Sequence, residues 1–299
     1  MTKQSPRWGG TFPLILTIFC WAIAFPAIRT GLNGFSPWAL GLCRLVVASV
    51  TLGVVAMVKG ITAPSRAQWP RLILAGFIGQ TLYQGLLMTG ERSVPAGTAS
   101  LLIAMAPLFS IAIAAIVLKE QVRRSIPGML VAFMGTVLIA GSLGLRGGHA
   151  ALIVLAAAAC QGIYHVVVKP LAEQLGPFPA TAWSVWAGTV LASPAAPIAM
   201  SEARRTSPAP IIAILVLGVV SSAFGYMAWS VALSRASIAR TTAALYLIPV
   251  VALLLSWVWL GERPALIAVA GGTIAIVGVV SARHRPTNDA HFVEVTMNR

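Results

Sequence analysis

Acidic side chains are nearly missing from this 299-residue chain: 7 Asp and Glu stand against 21 Lys and Arg, and only 9% of the residues are charged. A soluble domain carries roughly a quarter charged residues, so a water-facing globule is excluded. Cysteine is as scarce. Cys20, Cys43 and Cys160 fall inside apolar runs without paired spacing, which excludes a disulfide framework and a cysteine metal site. No polar stretch between the runs is long enough to house a catalytic domain. Within the runs there is no His/Glu metal cluster and no Ser or Cys nucleophile beside a base, so neither an enzyme nor a cofactor nor a metal is expected. The net charge of +14 is spread over short connectors. Nucleic-acid binding would need it gathered on one patch or helix face.

What is present is hydrophobicity, at 58% of the chain. Runs long enough to cross a hydrocarbon core of ~30 Å are read at 11–30, 37–58, 69–90, 95–118 and 126–145, then at 149–168, 178–199, 209–233, 238–260 and 264–282. The first, preceded by Lys3 and Arg7 and containing Ala22 and Ala24, imitates a signal peptide; nine further runs favour an uncleaved helix. Counting Lys and Arg in alternate connectors puts fourteen on one side and six on the other, with Arg44 left inside a span. Positive connectors stay in the cytoplasm, so a multi-pass inner-membrane protein with both termini cytoplasmic is expected, ending in a polar, disordered tail at 284–299.

The chain repeats itself. IAMAPLFSIAIAAIVLKE at 103–120 and LYLIPVVALLLSWVWLGE at 245–262 place Pro107 and Pro249, then Glu120 and Glu262, at a constant offset of 142. Cys20 and Cys160, Arg29 and Lys169, and Pro37 and Pro177 align at 140; Gly128 and Gly135 align with Gly271 and Gly278 at 143. Two copies of five spans result, 1–147 and 148–283. An odd number of spans per copy forces the copies to face opposite ways, which is the inverted-repeat architecture of transporters. The fold class is therefore an all-α membrane protein of ten helices.

A proline within an apolar span, a Leu-x-Glu ending and a Gly-rich span occur twice: Pro107, Leu118-Lys119-Glu120 and Gly128 to Gly135, then Pro249, Leu260-Gly261-Glu262 and Gly271 to Gly278. At these residues the chain resembles the drug/metabolite transporter superfamily in its ten-span EamA branch, over roughly residues 11 to 283. Within that branch it is most similar to bacterial exporters of aromatic amino acids. The resemblance implies export of small metabolites; a monomer is expected, or a weak homodimer if the glycine faces pair between copies. It specifies the fold more strongly than the cargo, and a multidrug or nucleotide-sugar carrier, or a channel or sensor on the same fold, are the alternatives.

Physical roles follow from residue type. Pro107 and Pro249 are expected to kink their helices beside a central site. Glu120 and Glu262 are expected to cap the following helix or to pair with Arg123 and Arg263. The glycines seven apart mark close-packed helix faces. Polar groups deep in spans are costly in lipid and tend to face the interior. Gln80 and Gln84, spaced i,i+4 with Tyr83 alongside, and Gln161 and His165, with Tyr164, are therefore the candidate cavity. The repeat adds Ser222, Tyr226, Trp21 and Phe25; Met105 and Tyr246 stand just before the prolines, and Trp229 and Trp186 are weaker candidates. The same glutamines and serines are equally readable as helix-to-helix hydrogen bonds. Such a lining suits a flat apolar cargo with a polar end. No Asp or Glu lies in the central third of a span, which leaves His165 as the mid-span group that titrates near neutral pH. Arg44 is read as snorkelling, as paired internally or as a site for a cargo carboxylate.

Overall fold

The computed structural model describes residues 11–118, 126–142, 144–235 and 244–283. The readings made for Glu120, Arg123 and the tail 284–299 lie outside them. Ten helical spans run through the described residues. We label them α1 (Thr11–Ala22, then Ala24–Gly31), α2 (Pro37–Lys59), α3 (Trp69–Ala75, Gly76–Leu82, Tyr83–Glu91), α4 (Ala96–Ile103, then Ala106–Leu118) and α5 (Ile126–Gly141). The second five are α6 (Gly144–Gln174), α7 (Pro177–Ala192, continued to Ala203), α8 (Pro208–Leu215, Val216–Phe224, Gly225–Arg235), α9 (Leu245–Leu247, then Ile248–Leu260) and α10 (Leu266–Arg283). Helices α1, α2, α3, α6 and α8 are each long and apolar enough to cross a membrane, and α4, α5, α9 and α10 carry shorter apolar stretches.

Helix pairings show a twofold relation between the halves. Packing of α3 on α6 is matched by α8 on α1, α4 on α6 by α9 on α1, and α3 on α7 by α8 on α2. Repeat-equivalent residues meet each other: Ser49 and Thr189 share a hydrogen bond of 2.7 Å, and Gln84 Nε2 donates to the Tyr226 hydroxyl at 3.3 Å. In the α5·α10 pair, a Cβ on Gly135 would lie 2.5 Å from the Gly271 carbonyl, and one on Gly278 would lie 2.8 Å from that of Gly128. Residue 128 opposes 278 while 135 opposes 271, so the equivalent helices run antiparallel. That is the flip the odd span count demanded. The close approach is what small residues supply in lipid, where association rests on dispersion contacts and not on water exclusion.

Interruptions repeat as well. Helix α3 is π-helical over Gly76–Leu82, and α8 over Val216–Phe224. Helices α4 and α9 both break just before their prolines, at Ala104 and Met105 and at the 3-10 turn Leu245–Leu247. Proline lacks the N–H that would satisfy the carbonyl four residues back. Pro249 thus releases Leu245, whose carbonyl takes the Ile248 N–H instead, and Pro107 removes the ordinary partner of Ile103.

The helix ends are tied by charge. Arg29 Nη1 donates to the backbone carbonyls of Glu91 and Arg92 at the end of α3, and its equivalent Lys169 donates to Leu233 O at 3.2 Å at the end of α8. Glu262 caps α4, not α10: its Oε2 accepts from the Ala96 N–H at 2.9 Å, and its Oε1 lies 3.5 Å from Arg29 Nε. Arg263 therefore does not supply the partner expected from sequence, because tertiary packing brings the start of α4 and the end of α1 nearer.

Candidate functional site

The interruptions converge on one small, partly enclosed chamber with a cavity volume of about 40 Å³. Seven helices line it: α1, α2, α3, α4, α6, α8 and α9. Ile103 and Leu245, the residues whose carbonyls the prolines release, are both on its wall beside Pro107 and Pro249. Irregular backbone inside a membrane is tolerated where it lines such a cavity.

Arg44 supplies the charge. It is buried, and it lines the chamber. Its Nε donates to Ser222 Oγ at 2.6 Å, Nη1 to Gln84 Oε1 at 2.6 Å and Nη2 to Ser221 Oγ at 2.9 Å. A guanidinium has five N–H donors; these bonds use three and leave one on each terminal nitrogen. Among the described residues no carboxylate lies within salt-bridge distance of it. The partners are themselves held: Gln84 Nε2 donates to Tyr226 Oη, which donates to Gly79 O at 3.3 Å. The π-helical segment makes that last bond available, because the Tyr83 N–H reaches back to Ile78 O, five residues, and leaves Gly79 O to the tyrosine.

Much of the remaining lining is aromatic. Trp21 lies parallel to the His165 ring (interplanar 4°, centroids 6.4 Å apart) and edge-on to Tyr226 at 5.2 Å. Trp229 backs both, 5.4 Å from Trp21 and 4.6 Å from His165. Trp21 reaches this position because residue 225 is glycine; a Cβ there would sit 2.9 Å from the indole Cδ1 and Nε1. His165 Nε2 lies 3.2 Å from Gln161 Nε2 and its Nδ1 lies 3.4 Å from Ser110 Oγ, which also reaches Ala106 O at 3.1 Å. A neutral imidazole protonated at Nδ1 satisfies this chain, accepting from Gln161 and donating to Ser110.

The sequence-based candidates divide. Trp21, Phe25, Tyr83, Gln161, His165, Tyr226, Pro107 and Pro249 line the chamber. Gln84 and Ser222 stand one layer behind, holding Arg44. Gln80 and Gln84 do not share a face as the α-helical spacing implied: the π-helical turn puts residue i+5, not i+4, over residue i. Gln80 instead packs toward α7, where a Cβ on Gly188 would lie 2.5 Å from the Gln80 Cβ. Tyr164 fills the space left by Gly79 and is edge-on to Tyr226 at 5.5 Å. Met105 and Tyr246 belong to a separate apolar cluster with Leu108, Ala132 and Ala275, behind the break in α4. Trp186 donates to Ser49 O at 3.1 Å, away from the chamber. Sequence reasoning did not single out Ser221 or either π-helical segment; the only trace of them is Gly76 and Gly218, again 142 apart.

A duplicated bundle with broken helices around one chamber is a transporter fold, and comparison with known proteins decides which. The EamA-like transporter family matches twice, over residues 8–141 and 149–282. The chain belongs to that family. It is a multi-pass membrane transporter and not an enzyme. Among its relatives, a probable terminal-alkyne amino-acid exporter of Streptantibioticus cattleyicolor is 44% identical over 279 residues, 91% of this chain and 92% of that protein. An uncharacterized transporter, YdfC, of Bacillus subtilis is 33% identical, with 88% and 87% of the two chains covered. A probable amino-acid metabolite efflux pump of Salmonella typhimurium is 28% identical, with 90% and 92% covered. One solved crystal structure superposes with a TM-score of 0.64 at 17% identity, covering 94% of this chain and all of that one, which supports the fold alone.

Proposed function

We propose that this transporter exports amino acids with π-rich side chains, aromatic ones first, from the cytoplasm across the inner membrane by alternating access. One observation carries the reading: a buried arginine with spare N–H groups, and with no carboxylate partner among the described residues, shares the chamber with Trp21, Tyr83, Tyr226 and His165. The cargo carboxylate takes the two free N–H groups of Arg44, a charge-assisted contact that selects anionic oxygens. Its side chain lies against the rings, and Gln161 offers an amide to its polar atoms. The printed names of two relatives, an amino-acid exporter and an amino-acid efflux pump, support the same class. Arg44 disfavours cationic drugs, because a like charge in a low-dielectric chamber repels them.

Gln84 and Ser222 position Arg44; Gln80, Tyr164, Met105 and Tyr246 support the wall from behind. The chamber as it stands has room for only a few waters, since one needs about 10–15 Å³ of water-centre volume, so an amino acid enters by widening it. Halves 1–147 and 148–283 rock about the breaks at Pro107 and Pro249, opening to each side in turn. The loop charges support a topology with both termini in the cytoplasm. The test is counterflow: proteoliposomes loaded with unlabelled aromatic amino acid should accumulate the labelled form saturably, and a decarboxylated amine analogue should compete only weakly. No counterflow, or unsaturable conductance, defeats the reading.

A further inference from the structure

Helix α3 ends on a buried carboxylate. Glu91 is fully buried, and among the described residues neither carboxylate oxygen has a hydrogen-bond partner. It follows Tyr83 and Leu87 by eight and four residues in the α-helical segment Tyr83–Glu91. Residues spaced by four share a helix face, and Tyr83 and Leu87 are on the chamber wall, so Glu91 stands on the same face at the non-cytoplasmic end. The groups around it come from five helices. From α1, Arg29 donates to the Glu91 backbone carbonyl, and from α9, Glu262 binds that arginine. From α2, Arg44 acts on it through space. From α4 comes the Ala96 N–H, already taken by Glu262. From α6 the neighbours of adjacent Gly90 are the apolar Val154 and Ala150, with the exposed His149 ring beside them in sequence. Two carboxylates thus lie near Arg29, and in this structure Glu262 holds it.

We propose that Glu91 is the proton-binding site through which cargo export is exchanged for proton entry. The proposal rests on the transport reading above. An ionised carboxylate without partners in a dry interior costs several kcal/mol, so the non-cytoplasmic end closes only when Glu91 is neutral. Opening that end to release cargo separates Arg29 from Glu262, admits water and leaves the ionised Glu91 paired with Arg29. A Glu91 oxygen then takes a proton from external water, the O–H bond forms without electron transfer, and Arg29 returns to Glu262 as the end closes. With the chamber open to the cytoplasm, the proton passes to chamber water along the Tyr83–Leu87 face. Cargo binding displaces that water, strands the ionised Glu91 and drives Arg29 back to it, which reopens the outer end.

The experiment compares wild type with Glu91→Gln, whose amide stands in for the neutral acid, in proteoliposomes under an imposed pH gradient with labelled aromatic amino acid. Wild type should accumulate label several-fold above equilibrium against an outward proton gradient. The variant, fixed in the neutral form and lacking the charge that draws Arg29 back, should accumulate none above equilibrium, and whatever exchange remains should lose its dependence on pH. Gradient-driven accumulation in the variant overturns the proposal, as does exchange that keeps the wild-type pH dependence. A cargo-independent measurement accompanies it: infrared difference spectra on pH change should show a protonated carboxylic acid band in wild type that vanishes in Glu91→Gln, and its absence from wild type overturns the proposal. Failure of wild-type counterflow counts against the cargo assignment alone.

Discussion

Replacing Arg44 with Gln separates the two roles this residue can have, anchor for a carboxylate or internal hydrogen-bond hub. The side chain makes three hydrogen bonds, to Ser222, Gln84 and Ser221, and has two N–H groups left for cargo. Hydrogen bonds to charged groups contribute about 1.5–3 kcal/mol each, so two give roughly 3–6 kcal/mol gross. Desolvating the carboxylate offsets part of this, leaving an expected loss of about 2–4 kcal/mol. At 1.4 kcal/mol per decade that is an affinity loss of about 30- to 700-fold for the amino acid. The decarboxylated amine never used those groups and is relieved of a repelling like charge, so its weak binding should hold or strengthen. Competition in counterflow against a reference cargo measures both. Equal losses for acid and amine would show that Arg44 only holds the helices together, and an unchanged affinity for the acid would remove it from the site.

Two glycines give paired outcomes. Gly225→Ala puts a methyl 2.9 Å from Trp21 Cδ1 and Nε1 and 3.2 Å from Cys20 Cβ; the indole must shift, and KM for aromatic cargo should rise by a factor worth about 1–2 kcal/mol with the thermal midpoint little changed. Gly135→Ala puts a methyl 2.4 Å from Ala275 N and 2.5 Å from Gly271 O, backbone that cannot rotate away. Thermal stability in detergent should fall by about 1–3 kcal/mol with KM unchanged, because α5 and α10 contribute nothing to the chamber wall.

The division of candidates at the site has a physical basis. In water a helix shows which face is buried by keeping its other face polar; in lipid both faces are apolar, so the inward face is marked only where a polar residue occurs. Gln161 and His165 were legible for that reason, since both sit in unbroken α-helix where four residues return to the same face. Gln80 was not, because a π-helical turn intervenes, and nothing local in GFIGQTL announces one. Met105 and Tyr246 precede their prolines at equivalent positions, yet the breaks turn them into the cluster behind the wall. Glu262 was expected to serve its own connector and instead bridges to α1 and α4.

Composition and spacing alone determined the solvent, the ten spans, the duplication and the inversion, because each depends on counts along the chain: apolar run lengths set by bilayer thickness, a constant offset, and an odd number of crossings. Tertiary structure alone decided which polar groups meet. Arg44 finds Ser221 and Ser222 some 178 residues away, and Glu91, at the very end of its span, is sealed by helices from both halves. Contacts of that range are chosen by how helices pack across the twofold axis, and where lipid and protein interior are equally apolar, no local pattern records that choice.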